Sequence, residues 1–283
     1  MDQFLLQKLL QPIEALQAES KVKLEVYPHE ELYRHLARSI ADEIKEHNAK
    51  GEPTRLILPV GPKPHYPLLA EIINKERISC RNLYTFNMDE YLDWQGRPVP
   101  VDHPLSFRGF MDKNFFRLLD PELRLPDEHI FFPDPRNLDR LAEAIEAVGG
   151  IDTCYGGIGI HGHIAFNEPP ISRYYRVTLE EFRHSTTRIL PLAPETITMN
   201  ASRSAGGNFL DFPPMAVTIG MKEILAARRI RLYADGGEWQ RFAVRMALAG
   251  PVCIEYPVTL LQEHPDAAII TDTETAKAPV MHP

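Results

Sequence analysis

Cysteine is scarce in this chain, and the three present, Cys80, Cys154 and Cys253, are odd in number, widely spaced and without a C-x-x-C pair. That excludes a disulfide framework and a zinc knuckle, and a cytoplasmic setting fits such cysteine usage. Positive charge is also in deficit, with 31 Lys and Arg against 39 Asp and Glu, for a net charge of −8 and a pI near 5.8. A general attraction to nucleic acid or to anionic lipid is therefore not expected, and a small anionic ligand would have to be held by a few local cations or backbone N–H groups. No apolar run approaches the roughly 20 residues of a membrane-spanning helix. Residues 1–20 mix acids and glutamines among leucines without a basic start, so neither a membrane partner nor a targeting signal is expected.

What is present reads as an ordinary globular protein. Hydrophobic residues make up 44% and charged residues 25% of 283 positions, enough for one large, well-buried domain. Short β-branched runs at 22–27, 55–60, 82–88, 152–158, 215–219, 229–234 and 267–271 alternate with segments of helical period. Leu32, Leu36, Ile40 and Ile44 form one such stripe, with Glu30 and Glu31 in its first turn; Leu138, Leu141, Ile145 and Val148 form another, ending at Gly149-Gly150. The alternation predicts an α/β fold: a Rossmann-like open, mostly parallel sheet with helices on both faces, in a single domain at 21–283 preceded by a helical extension at 1–20. The 25 prolines fall mainly between periodic segments, and the stretch 171–214 is the least regular.

In open α/β sheets ligands bind beyond the carboxyl ends of the strands, so residues just after Val60, Met88 and Ile158 should meet in one crevice. Asp89 follows one of these strands, where a carboxylate can act as a base; the structural alternative is a capping aspartate. The segment 155–169 packs four glycines, His161, His163 and Glu168 into 15 residues, a density that lets backbone approach a ligand at Gly159 and Gly162. Residues 157–162 match G-x-G-x-x-G, but Pro169-Pro170 cuts short the helix that a dinucleotide would need. The spacing of His163 and Glu168 allows the carboxylate to orient the imidazole and raise its basicity. His161, His163, Glu168 and Asp89 also offer two nitrogens and two oxygens to a metal, although no motif supplies further ligands.

Three strings, Thr85-Phe86-Asn87-Met88-Asp89-Glu90-Tyr91, His103-Pro104-Leu105-Ser106-Phe107 and Gly162-His163-Ile164-Ala165-Phe166-Asn167-Glu168-Pro169, followed by Leu260-Leu261-Gln262-Glu263-His264-Pro265, resemble the glucosamine-6-phosphate deaminase family in that order across 55–272. The related 6-phosphogluconolactonases share the glycine-histidine loop, but these strings are more similar to the deaminases. The resemblance implies an enzyme without cofactor that opens an amino-sugar phosphate ring, moves a proton between C1 and C2 and releases ammonia to leave a ketose phosphate. Carried over by position, Asp89 is the base, His163 assists ring opening and Glu168 tunes that histidine. Family members assemble in different ways, so a homo-oligomer is compatible with the resemblance.

Three positions depart from the family pattern. An aspartate two residues before the loop histidine is replaced by His161. The phosphate loop Thr-Gly-Gly-Thr-Pro becomes Val60-Gly61-Pro62-Lys63-Pro64, which loses an N–H and two hydroxyls but gains a cation at Lys63. A family lysine aligns near Gln240, beside Arg241, while Arg203 matches the family's phosphate arginine. A shifted substrate follows as an expectation, with a non-catalytic sugar-phosphate-binding homologue or a metal-dependent sugar isomerase or hydrolase as the alternatives.

Overall fold

The computed structural model describes residues 3–170, 172 and 174–280. In chain order its elements are α1 (Gln3–Leu9), α2 (Ile13–Glu19), β1 (Lys23–Tyr27), α3 (His29–Lys50), β2 (Thr54–Leu58), α4 (His65–Glu76), β3 (Leu83–Asn87), β4 (Asp89–Leu92), α5 (Phe107–Asn114), β5 (Ile130–Phe131), α6 (Arg140–Ala147), β6 (Thr153–Gly157), α7 (Leu179–Arg183), β7 (Arg188–Pro191), α8 (Pro194–Ser204), β8 (Met215–Thr218), α9 (Met221–Leu225), β9 (Arg229–Ala234), α10 (Glu238–Ala249) and β10 (Ala267–Asp272). Seven strands form one sheet in the order β1-β10-β9-β6-β2-β3-β5, and each neighbouring pair runs parallel.

Alternate side chains along these strands feed two cores, because successive Cβ atoms point to opposite faces. Ile57, Phe86, Cys154, Leu232 and Ile269 pack on one face with Val244, Ala247 and Leu248 of α10. Leu56, Leu58, Leu83, Tyr155 and Ile270 pack on the other with α3 and α4. Leu32, Leu36, Ile40 and Ile44 are all essentially inaccessible on α3, each burial contributing about 1.5–3 kcal/mol, and Gly51 ends that helix in the left-handed conformation. Both faces of the sheet are therefore covered, and a single α/β domain results. Helices α1 and α2 lie against α10, where the buried Arg245 guanidinium donates to the carbonyls of Leu9 and Gln11.

One feature corrects the sequence-based reading. The run 215–219, grouped there with the parallel strands, instead belongs to a second, antiparallel sheet of order β4-β8-β7. A short apolar run looks the same in either setting, so periodicity carries no information about its partner. The stretch 171–214, read as irregular, holds α7 with a Thr178–Glu181 capping box, then β7 and α8; residues 171 and 173 of it lie outside the described residues. The two sheets meet at Met88, whose N–H donates to Leu58 O of β2 while its carbonyl accepts from Ile219 N after β8. The chain thus leaves the parallel sheet at Asn87 and enters the antiparallel one at Asp89. Among the described residues no helix is long and apolar enough to cross a membrane.

Candidate active site

A cavity of about 350 Å³ opens where four adjacent strands, β9, β6, β2 and β3, end, and its wall includes Gly61, Lys63, Asp89, Gly159, His163, Arg203 and Asp235. This is where the physics of an open parallel sheet places ligands. Asp89 is 7% exposed, and no hydrogen bond reaches its carboxylate among the described residues. Burial pushes its pKa well above the usual carboxylate range, and the neighbouring Glu90 charge adds to the rise. Glu90 itself is turned the other way: its carboxylate accepts from Tyr91 N, Phe107 N, Arg108 N and Ser106 Oγ, tying the start of α5 to β4. Asn87 Nδ2 donates to Phe131 O, and the Tyr91 hydroxyl accepts from Asn200 Nδ2 of α8 at 3.2 Å.

The loop after β6 is built around His163. A Cβ on Gly159 would stand 1.8 Å from His163 Nε2, so the imidazole lies where that side chain would be. Gly159 N donates to His163 O, and Gly162 N to Gly159 O, each at 2.9 Å, which closes the loop on itself. Gly162 takes φ +67°, and a Cβ there would meet Val258 Cγ1 at 2.9 Å. The far end is clamped by Asn167, whose Nδ2 donates to Ile164 O and Ile219 O and whose Oδ1 accepts from Arg188. His163 is 5% exposed; burial, reinforced by His161, pushes its pKa down to about 3. The imidazole is neutral near pH 7, and its Nδ1 has no hydrogen-bond partner.

The same wall carries two cations. Lys63 Nζ sits 5.5 Å from the Phe110 ring centroid, and the Arg203 guanidinium 5.2 Å from that of Trp239. Arg203 also approaches Asp235 Oδ1 at 3.8 Å, and Asp235 Oδ2 accepts from the Tyr33 hydroxyl at 2.8 Å. Partial enclosure, and then the Arg203 charge, lower the pKa of Lys63. Arg203 beside Asp235, with Lys63 in the same wall, gives the cavity two cations in a protein of net charge −8.

No family model matches the chain. Curated relatives do. It is 36% identical over 245 residues to a glucosamine-6-phosphate deaminase of Tolumonas auensis, covering 83% of this chain and 84% of that protein. It is 35% identical over 251 residues to one of Parabacteroides distasonis, covering 86% of each. The chain belongs to the glucosamine-6-phosphate deaminase family. Among solved structures, a monomeric glucosamine-6-phosphate deaminase superposes with a TM-score of 0.74 at 29% identity, over 90% of this chain and 99% of that one. A 6-phosphogluconolactonase from Trypanosoma cruzi, at 19% identity and a TM-score of 0.62, over 90% of this chain and 96% of that one, shares the fold.

Within this family frame, the cavity gathers Asp89, His163, Gly61, Lys63, Gly159 and Arg203. Gly162 does not line it; its left-handed turn serves the loop's closure. Glu168 also lies behind the wall and makes no hydrogen bond to His163: its Oε2 accepts from Ala193 N at 2.7 Å. Burial raises the Glu168 pKa, against the lowering effect of the Thr196 hydroxyl and the Ala193 N–H. The orienting hydrogen bond expected from Glu168 to the imidazole is thus not formed among the described residues, although one ligand atom of each lies within 4.8 Å of the other. His161, outside the wall too, has its ring centroid 5.7 Å from that of His163 and its Nε2 3.7 Å from Glu195 Oε2. Gln240 reaches the cavity but spends its amide on Ile158 O and Gly236 N, and Arg241 turns away to Glu274 O. Sequence reasoning missed Tyr33, Asp235 and Trp239; Asp235, directly after β9, was open to discovery by the strand-end rule.

Proposed function

We propose that this protein converts an amino-sugar phosphate of the glucosamine 6-phosphate type from aldose to ketose with release of ammonia. The observation that carries the reading is that a buried, unbonded carboxylate and a neutral imidazole share one cavity whose wall also holds two cations. Lys63 and Arg203 would hold the phosphate. Neutral His163 would pass a proton between the anomeric hydroxyl and the ring oxygen, opening the hemiacetal. Asp89, ionised, would then take the C2 proton and return it to C1. The electron pair moves through an enol-amine to leave an imine at C2, which water hydrolyses to the ketone and ammonia. A carboxylate with a raised pKa is the stronger base for a C–H bond, and its conjugate acid is formed in place to protonate C1.

Isomerisation that keeps the nitrogen differs from hydrolytic deamination in one product. A panel of hexosamine and hexose 6-phosphates, assayed for ammonia, for ketose and for exchange of the C1 and C2 hydrogens with solvent, tests the reading. Ammonia with ketose supports it; exchange without ammonia reduces it to an isomerase. A second reading, a sugar-phosphate binder without turnover, is favoured by one observation: His161 in place of a carboxylate beside His163. Tight binding of one panel member with neither exchange nor product would select it.

A further inference from the structure

Beside His163, which the proposed reaction uses, stand two side chains that it leaves unused, His161 and Glu168. His161 Nδ1 and His163 Nδ1 are buried and lack a hydrogen-bond partner, while the Glu168 carboxyl has the Thr196 hydroxyl near it. A buried polar atom left unsatisfied costs on the order of 1–3 kcal/mol, so two imidazole nitrogens left so in three residues of chain call for a ligand. The three side chains also converge: one donor atom from each lies within 4.8 Å of the other two.

We propose that His161, His163 and Glu168 form a three-ligand site for a divalent transition metal of the zinc class. Two imidazole nitrogens and one carboxylate oxygen, with the fourth position left to water, make up a recurrent open zinc site, and imidazole suits zinc, cobalt and nickel alike. Part of the orientation such a site needs is in place. Glu168 Oε2 is held by Ala193 N, which leaves Oε1 for the ion; His161 Nε2 faces Glu195, which leaves Nδ1; and the Nε2 side of His163 rests against Gly159. Bonds of about 2.1 Å put tetrahedral donors about 3.4 Å apart, so the group has to contract by at most about 1.4 Å from its 4.8 Å spread. The partly exposed His161 side chain has room to make that movement. Asp89, grouped with these residues as a possible ligand on sequence alone, is not part of the cluster. A bound ion would occupy His163, so it would restrain sugar turnover and not drive it.

The test is uptake of Co²⁺ by the metal-free protein, read by visible d–d absorption and by metal analysis after dialysis, with no substrate present. The wild-type chain should bind one ion in a low-symmetry, four- or five-coordinate spectrum. His161→Ala and His163→Gln should each weaken binding at least about tenfold. Glu168→Gln, checked for folding by thermal unfolding, should do the same. No Co²⁺ bound by wild type, or equal affinity in the His161→Ala protein, would overturn the site. Because uptake is measured without turnover, a failure of the proposed reaction is a separate result.

Discussion

Gly159→Ala isolates the imidazole from everything else in the cavity. The added methyl would stand 1.8 Å from His163 Nε2, about half of an ordinary contact distance, so the ring has to leave its position. Gly159 does not sit in the left-handed region, so alanine is acceptable to the backbone, unlike any side chain at Gly162 with φ +67°. The cost in stability should be that of overpacking, about 1–3 kcal/mol, and the chain should still fold. The cost in rate should be larger. A positioned acid–base group contributes about 10²–10⁴, or about 2.7–5.5 kcal/mol of barrier, and Gly159→Ala should lose that amount in kcat, as His163→Gln should. Their combination should fall no further, because both changes remove the same group. Ammonia release by the two single variants and the double variant, with unfolding curves beside them, closes the cycle. If Gly159→Ala turns over within about twofold of wild type, or if the two losses multiply in the double variant, the imidazole is not where the reaction needs it.

Asp89→Asn should abolish exchange of the C1 and C2 hydrogens while leaving sugar-phosphate affinity within a few-fold; persisting exchange would place the base elsewhere. Lys63→Ala should raise KM by about 10- to 150-fold, the worth of a charge-assisted contact of about 1.5–3 kcal/mol, with kcat little changed, and an unaltered KM would remove the lysine from the anion site. The raised pKa of Asp89 sets the acid limb of kcat/KM: the base works ionised, so activity falls as pH drops through a value above the ordinary carboxylate of about 3.9. A limb at or below that value would contradict the burial argument. His163, at about 3 in the folded state against about 6.5 unfolded, binds fewer protons when native. Its contribution is therefore present above pH 6.5 and lost as pH falls toward 3, up to about 4–5 kcal/mol in all. Urea unfolding at pH 7 and pH 4 should show a smaller loss in His163→Gln than in wild type, and equal losses would mean the imidazole is not desolvated.

The strands at 55–60, 82–88 and 152–158 were legible because they are buried on both faces and read as near-continuous apolar runs. β4 was not legible: Asp89-Glu90-Tyr91 reads as loop, and only pairing with β8 across Asp89–Thr218 and Glu90–Val217 makes it a strand. The place of Glu168 was likewise beyond reach. Its five-residue spacing from His163 allows a hydrogen bond, but none forms: Ala165 at φ +55° and the Asn167 clamps shape the loop so that one carboxylate oxygen meets the start of α8. Tyr33 and Trp239 come from helices far apart in the chain and carry no local pattern, so only coordinates bring them to the cavity.

Asp89 and Glu90 show how one strand gives two equal side-chain chemistries opposite fates. Successive residues of β4 face opposite ways, so the pairing that aims Glu90 at the start of α5 necessarily aims Asp89 at the cavity. Glu90 meets three donors there and a fourth in the N–H of Tyr91, and its burial is compensated. Asp89 meets none, and the Glu90 charge beside it adds to the strain of ionisation. Had the same four donors faced Asp89, its ionised form would be well solvated and too weak a base for a carbon acid. The reactivity proposed for Asp89 would thus follow from where the sheet switch at Met88 begins the second ladder: a shift of one residue in that register would exchange the donor-bound acid and the unbonded one.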